Sequence, residues 1–167
     1  YKSMNRIAYM VLRHLPIVPY WFWKIDHMGK RPDQYPEQER YDYLRNIIKT
    51  INKNGRVTVT GYGEEHLPKK NGFVLFPNHQ GFFDMLAIID TCPNPLGVII
   101  KKEAANWILV KQVLRLLGGI PMDRSDIRAS MEVIKEMTRQ VKEGKNYVIF
   151  PEGTRSRKGN ELLEFKA

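Results

Sequence analysis

The chain has 167 residues, a length that suits one compact domain with a modest additional element. Apolar residues make up 43% of it, so it can bury a core, and its single cysteine, Cys92, excludes an internal disulfide and a cysteine-built metal site. The 27 Lys and Arg residues against 18 Asp and Glu give a net charge of +9, which indicates an anionic partner such as phosphate, nucleic acid or an acidic lipid surface.

Residues 1–54 carry no strand signal and are predicted to form a helical hairpin. Apolar residues recur at helical spacing within residues 7–15 and again within residues 43–51. The proline-containing segment 32–36 separates the two runs and places the start of the second helix near Glu37.

The longest apolar stretch, residues 17–23, is far shorter than the roughly 20 residues that a membrane-spanning helix needs. It contains the aromatic run Tyr20 to Trp23, and no convincing secretory signal precedes it. Four cations lie near it in sequence: Arg13, Lys24, Lys30 and Arg31. Aromatic rings beside cations suit the headgroup level of an anionic bilayer, so we expect residues 1–54 to be membrane-interfacial. The alternative is that these rings pack the hairpin onto the rest of the protein.

From Gly55 onward, short β-rich apolar runs alternate with helical patterns. Strands are predicted at residues 57–60, 73–76, 98–100 and 147–150. Helices are predicted at residues 84–90, 103–117 and 126–142. Ser125 is expected to cap the third helix, and Gly144 follows its end. The order of elements predicts a three-layer α/β domain over residues 55–167, because continuously apolar strands need cover on both faces.

Two of the predicted strands are followed by a proline and then by polar residues. Pro77 precedes Asn78 and His79, and Pro151 precedes Glu152. Proline cannot donate to a sheet ladder, so each is expected to end its strand and release the next residues at the carboxyl edge of the sheet. Residues 73 positions apart in sequence are therefore predicted to face one cavity.

The first polar segment offers a proton-transfer pair. His79 is followed five positions later by Asp84, across a turn into a helix. Imidazole can accept the proton of an attacking hydroxyl, and a carboxylate can orient it. The spacing alone is equally met by a structural arrangement in which Asp84 caps its helix and His79 is satisfied in a turn.

The second polar segment, residues 152–159, places a carboxylate, two hydroxyl groups and three cations around two glycines. Glycines let a backbone approach phosphate, and arginine binds phosphate oxygens in a bidentate manner. The segment is predicted to bind an anion, with Glu152 holding an arginine or a substrate hydroxyl. A solvated basic turn is the simpler alternative.

Residues 78–84 resemble the His-x4-Asp motif of glycerolipid acyltransferases, and residues 150–156 resemble their Glu-Gly-Thr-Arg motif. Between them, residues 119–124 are similar to the family's intermediate block, which contributes to glycerophosphate binding. The order and spacing of the three agree. The resemblance covers about residues 55–167 and is closest to the bacterial-type 1-acylglycerol-3-phosphate acyltransferases.

The resemblance implies a mixed sheet flanked by helices, as in glycerol-3-phosphate acyltransferase. It implies transfer of a fatty acyl group from acyl-CoA or acyl carrier protein to the free hydroxyl of lysophosphatidate, forming phosphatidate in phospholipid biosynthesis. No metal and no cofactor beyond the thioester co-substrate are expected. The expected partners are the lysophospholipid acceptor, the acyl donor and a membrane surface on its cytoplasmic side, and not nucleic acid.

The same resemblance implies roles for individual residues. His79 would be the general base and Asp84 its orienter. The glycerophosphate would be bound by Glu152, Gly153, Thr154, Arg155 and Arg124, with a further contact from Lys101 or Lys102. Cys92 has no evident partner and the sequence has no Gly-x-Ser-x-Gly turn, so direct transfer is expected rather than an acyl-enzyme.

The chain ends soon after the Glu-Gly-Thr-Arg segment, where the family continues through a further strand, so we expect a catalytic domain truncated at its C-terminus. Three alternatives remain open from the sequence. They are another lysolipid or glycerol 3-phosphate as the acceptor, a phosphate-ester hydrolase that uses the same histidine, and a basic nucleic-acid-binding module.

Overall fold

The computed structural model describes residues 12–78 and 83–151. The helices are Val18–Gly29 (α1), Glu37–Asn54 (α2), Asp84–Thr91 (α3), Lys102–Ala105 (α4), Val110–Leu117 (α5) and Ile127–Lys142 (α6). The strands are Val74–Leu75 (β1), Leu96–Lys101 (β2), Ile120–Met122 (β3) and Asn146–Ile149 (β4). One turn of 3-10 helix, Glu64–His66, precedes β1.

The four strands form one sheet in the order β1-β4-β2-β3, and each neighbouring pair is parallel. The last of the described strands in sequence therefore lies between the first and the second. The predicted α/β fold is confirmed. The expected mixed sheet is not seen among the described strands, all of which run in the same direction.

Side chains of the sheet alternate between two apolar layers, as the period of two in a strand requires. In β2, Val98 and Ile100 pack with the cluster formed by α1, α2, α3 and α5. Ile99, between them, packs on the opposite face with Met137 of α6. In β4, Val148 faces the first layer and Tyr147 the second. Both faces are covered, which explains why the central strands read as continuously apolar.

Two of the strand predictions differ from the structure. Residues 57–60 alternate Val and Thr but form no strand in the part of the chain that is described. Three of the four residues are exposed, so they do not pack on a sheet, and their β-branched side chains alone do not produce a strand. β3 was missed because it is three residues long and contains Pro121, which an edge strand tolerates.

The helix predictions were correct for α3 and α6 and wrong at two points. The predicted helix 103–117 is divided into α4 and α5 by a turn at residues 106–109, although no Gly or Pro marks the break. The cap of α6 is Asp126, whose Oδ1 accepts from the Ala129 N–H at 3.0 Å, and not Ser125. Gly144 follows α6 at φ +98°, as expected for a residue that ends a helix.

The described part of the N-terminal segment contains α1, α2 and the helical residues 12–14, which agree with the end of the predicted first helix, and Pro36 immediately precedes α2, as predicted. The aromatic run, expected as an interfacial segment rather than a helix, lies within α1. Pro19 is tolerated there because it sits in the first turn, where its missing N–H leaves no bond unmade. The earlier part of the predicted first helix, residues 7–11, lies outside the described residues.

Polar side chains of α2 bind backbone carbonyls at the ends of other helices. Arg40 Nη1 donates to the Leu116 carbonyl at 2.6 Å near the end of α5. Tyr41 Oη donates to the Cys92 carbonyl at 2.8 Å after α3, and Arg45 Nη2 donates to the Asp90 carbonyl at 3.0 Å. The last carbonyls of a helix have no partner within it, so α2 satisfies groups that would otherwise be buried unpaired.

Candidate active site

All four strands end at one edge of the sheet, because they are parallel. β1 leads into Phe76, Pro77 and Asn78, and β4 leads into Phe150 and Pro151. The register pairs Val74 with Tyr147, which are 73 positions apart. β1 and β4 are therefore neighbours, and each strand ends two residues before its proline. The prediction that the polar residues after the two prolines face one cavity concerns His79 and Glu152, which lie outside the described residues, so it stays a prediction.

Five of the predicted site residues lie outside the described residues. They are His79, Glu152, Gly153, Thr154 and Arg155. The described residues nearest to them are Asn78 and Pro151, both beyond strand ends at the carboxyl edge. The roles assigned to the five from sequence stay predictions.

Asp84 is the first residue of α3 and is half-buried. The cap position belongs to Phe83, whose side chain makes no capping hydrogen bond. The alternative in which Asp84 serves as the cap residue is therefore not what the structure has. A carboxylate in the first turn interacts favourably with the positive end of the helix dipole.

Arg124 follows β3 and reaches across the end of β2 to β4. Its Nη2 donates to the Phe150 carbonyl at 2.9 Å. This bond joins residues 119–124 to the strand end that leads into Glu152. It uses one of the five N–H groups of the guanidinium. The remaining N–H groups leave the half-buried side chain capable of binding an anion.

Lys101 and Arg124 line one cavity of about 170 Å³ at this edge. The other lining residues are Glu103, Met122, Asp123 and Ser125. Lys101 is the last residue of β2 and pairs in register with Met122 of β3, so the parallel ladder itself places the lysine beside the segment that carries Arg124. Two of the predicted phosphate-binding residues are thus brought together.

An acidic residue in this cavity was missed from the sequence. Asp123 Oδ1 accepts from the Ser125 N–H at 3.0 Å and from the Ser125 hydroxyl at 2.6 Å. These hydrogen bonds, and the Lys102 ammonium 3.6 Å from Oδ2, lower the pKa of Asp123 below its usual value. The signal for it was the Asp-x-Ser spacing after a strand, which is typical of a side chain that closes its own turn.

Neither a metal cluster nor an activated thiol is found in the described part of the chain. No group of three or more His, Cys, Asp or Glu side chains there has the arrangement to hold a metal ion. Cys92 is buried, and burial raises the pKa of its thiol, so it is protonated at neutral pH.

The outer face of α1 carries an exposed row of rings and cations. Tyr20 and Trp23 are each more than half exposed and lie in ring contact, and Trp23 in turn contacts the His27 ring at a centroid distance of 5.0 Å. Arg31 Nη1 lies 2.9 Å from His27 Nδ1. Trp21, by contrast, packs against the core. No helix within residues 12–78 and 83–151 is both long and apolar enough to cross a bilayer.

The family model described as Acyltransferase matches residues 56–167. A 1-acyl-sn-glycerol-3-phosphate acyltransferase of Bacillus subtilis is 31% identical over 118 residues, which cover 70% of this chain and 57% of the relative. Proteins of the same name from Borreliella burgdorferi and Cocos nucifera are 32% and 40% identical over 105 and 90 residues. Those alignments cover 63% and 53% of this chain, and 41% and 29% of the relatives.

The structure is similar to the crystal structure of the 1-acyl-sn-glycerophosphate (LPA) acyltransferase PlsC from Thermotoga maritima. The TM-score is 0.69 at 24% identity, and the match covers 99% of this chain and 68% of that one. The fold is therefore shared. This chain spans between about a third and somewhat more than half of the curated relatives named above. Since the family model matches well over half of the chain and the structural match agrees, the chain belongs to the Acyltransferase family.

Proposed function

We propose that this protein transfers a fatty acyl group from a thioester of coenzyme A or acyl carrier protein to the free hydroxyl of lysophosphatidate, forming phosphatidate in phospholipid biosynthesis. The observation that carries the proposal is the cavity at the carboxyl edge, where Lys101 and Arg124 lie together. β1, which leads toward His79, ends at the same edge. The names of the relatives agree with this substrate class.

In the proposed reaction, His79 removes the proton of the acceptor hydroxyl while Asp84 orients the imidazole and stabilises the imidazolium. The hydroxyl oxygen bonds to the thioester carbonyl carbon, the carbon–sulfur bond breaks, and the proton passes from His79 to the departing thiolate. The position of Asp84 at the start of α3, five residues after His79, supports this pairing. No cofactor beyond the thioester co-substrate is needed.

The acceptor phosphate is bound, in this proposal, by Arg124 and Lys101 together with Glu152, Gly153, Thr154 and Arg155. The bond from Arg124 to the Phe150 carbonyl supports it, because it links β3 to the strand that leads to Glu152. Asp123 is occupied by Ser125 and Lys102, so it repels a phosphate less than a free carboxylate would.

Residues 1–54 form, in this proposal, a membrane-interfacial helical segment, and residues 55–167 form the catalytic domain, at the cytoplasmic face of a membrane. The exposed rings of Tyr20 and Trp23 support the placement of α1 at a bilayer surface. Lys30 and Arg31, the two cations that follow the end of α1, line a cavity of about 220 Å³ together with Trp23. Rings and cations in this arrangement suit anionic headgroups.

The test is an acceptor panel with the full-length protein and one acyl-CoA. We expect thiol release and a new ester with lysophosphatidate, and slower reaction with glycerol 3-phosphate and with lysophosphatidylcholine. Thiol release without an ester would instead indicate hydrolysis of the thioester, and release of inorganic phosphate without thiol would support the phosphate-ester hydrolase. Retention on RNA with no acyl transfer would support the nucleic-acid-binding alternative.

Two variants test the residue roles. His79→Ala is expected to lower the rate at least about a hundredfold, because a positioned general base contributes at least that factor. Arg124→Ala is expected to raise the KM for lysophosphatidate about tenfold, the loss of one charge-assisted contact. Arg128→Ala, which removes an exposed arginine of α6, is the matched control and should change neither.

A further inference from the structure

The turn between α4 and α5 presents three consecutive large apolar side chains to solvent. Trp107 is 57% exposed, Ile108 is 81% exposed and Leu109 is 50% exposed. Residues 107–109 are called the apolar tip below. Single exposed apolar residues are ordinary on protein surfaces, but a contiguous group of this size marks a contact with another apolar phase.

The apolar tip is a built turn rather than a loose connection. The Trp107 N–H donates to the Ala104 carbonyl at 3.2 Å, and the Trp107 carbonyl accepts from the Lys111 N–H at 2.9 Å. Leu109 has a φ of +71°, a conformation that leucine rarely adopts. A strained backbone that exposes apolar side chains to water lowers the stability of the protein. A turn of this kind therefore indicates a function for the exposed side chains rather than a contribution to the folded core.

The charge around the apolar tip is positive. Lys101 and Lys102 precede it and Lys111 follows it, and all three are exposed. Glu103 is the one acidic residue within residues 101–111 of the sequence. Tryptophan with flanking lysines is typical of segments at the headgroup level of anionic membranes, where the ring lies at the interface and the cations meet lipid phosphates.

The apolar tip also lies close to the cavity described above. Lys101 and Glu103 line that cavity, and only α4, a single turn about 6 Å long, separates Lys101 from the tip. The apolar tip therefore follows closely in sequence on Lys101, one of the residues proposed to bind phosphate.

We propose that the apolar tip inserts into the surface of an anionic phospholipid bilayer and so holds the Lys101 and Arg124 cavity at the level of the lipid headgroups. The insertion is a second membrane contact, separate in sequence from α1. Its benefit to the reaction rests on the proposed function, but the insertion itself is measured without any acyl transfer.

The experiment uses this chain with Trp21→Phe and Trp23→Phe, so that Trp107 is the one tryptophan left among its 167 residues. Vesicles of phosphatidylglycerol, with and without brominated acyl chains, are the probe, and phosphatidylcholine vesicles are the neutral comparison. We expect a blue shift of Trp107 emission and quenching by brominated lipid with the anionic vesicles. Emission that stays unquenched while the protein is bound would overturn the proposal.

A pair of double variants separates insertion from general adhesion. Trp107→Ser with Ile108→Ser, made in the chain that keeps its other tryptophans, is expected to weaken vesicle binding at least about tenfold, since burying one large apolar side chain contributes about that factor. The control is Ile127→Ser with Met131→Ser, on α6, where the side chains are 78% and 56% exposed. It should weaken binding less than about twofold.

Three further outcomes are decisive. Equal binding by both double variants would refute insertion of the tip, even if the protein acylates lysophosphatidate. Quenching of Trp107 in a protein that transfers no acyl group would refute the proposed function and leave the insertion standing. A tip-dependent dimer, seen by sedimentation without vesicles, would assign these residues to a second copy of the chain instead.

Discussion

α1 and α2 are neighbours in sequence and both pack on the α/β part, yet they use their polar and aromatic side chains in opposite ways. α2 directs Arg40, Tyr41 and Arg45 inward, onto carbonyls that follow or end α3 and α5. α1 buries Ile25, Met28 and Gly29 and packs Trp21 against the core, but it turns the rings of Tyr20 and Trp23 outward. Residues 18–54 thus combine a helix that completes the fold with one whose outer face is exposed to solvent.

The largest effect is expected from removing the innermost contact of α2. Arg40→Ala should lower the free energy of unfolding by about 3 kcal/mol, because the buried Leu116 carbonyl and the part-buried Tyr35 carbonyl lose a charged donor. Urea denaturation measures it. Lys49→Ala, exposed on the same helix, should stay within about 0.5 kcal/mol. Equal stability of the two variants would mean that α2 contributes no more than surface helix.

A somewhat smaller effect is expected where α1 meets α5. A Cβ at Gly29 would lie 3.2 Å from the Leu116 backbone nitrogen, which cannot move without moving α5. Gly29→Val should therefore cost about 2 kcal/mol by overpacking. The exposed neighbour Lys30→Val should cost less than about 0.5 kcal/mol. If urea denaturation shows that Gly29→Val and Lys30→Val both leave the stability unchanged, then α1 packs less tightly on α5 than the 3.2 Å distance indicates.

Tyr41→Phe should cost about 1 kcal/mol at pH 7, since the Cys92 carbonyl loses its donor. Burial raises the pKa of Tyr41 well above its usual value of 10, so the folded protein keeps a proton that the unfolded chain loses. The stability from this group is complete below about pH 10 and is lost as the pH rises further. Tyr41→Phe should therefore make the alkaline decline shallower, by up to about 1.4 kcal/mol per pH unit.

The control for that pH profile is Tyr62→Phe, whose ring is almost fully exposed. It should change neither the stability at pH 7 nor the alkaline slope. A Tyr41→Phe variant with an unchanged slope would contradict the link between burial and titration.

The smallest effect on stability is expected on the outer face of α1. Trp23→Ser should change the free energy of unfolding by less than about 0.5 kcal/mol, because the ring is more than half exposed. It should nevertheless lower retention on phosphatidylglycerol vesicles severalfold, if this face meets a membrane. The reverse result, lost stability with full retention, would assign Trp23 to the fold.

Much of the fold could be predicted because most of its helices and strands have a recognisable pattern of apolar residues within a short stretch of sequence. The apolar runs of β2 and β4 and the amphipathic pattern of α6 each appear within a few residues. The break between α4 and α5 could not, since Trp107 to Leu109 continue a helical composition without a breaker. The side-chain bonds from α2 to distant carbonyls leave no local pattern at all.

The candidate site was predictable to the extent that parallel strands end together. Lys101 and Arg124 share a cavity because β2 and β3 are in register, although β3 itself was not predicted. The bond from Arg124 to the Phe150 carbonyl depends on β4 lying beside β2. The order of the strands in the sheet is set by tertiary structure and cannot be predicted from the spacing of residues in the sequence.

The same strand order has a consequence for how the chain folds during synthesis. β2 and β3 pair residues about 20 positions apart, so they can pair early in synthesis. β1 can pair only after β4 has been made, because its partner residues lie 73 positions later in the chain. β4, the last of the described strands to be made, is then inserted between β1 and β2, which were made before it. We expect its arrival to be the slow step of folding, and a chain interrupted before Asn146 to expose the unpaired edge of β2, a template for association with other chains.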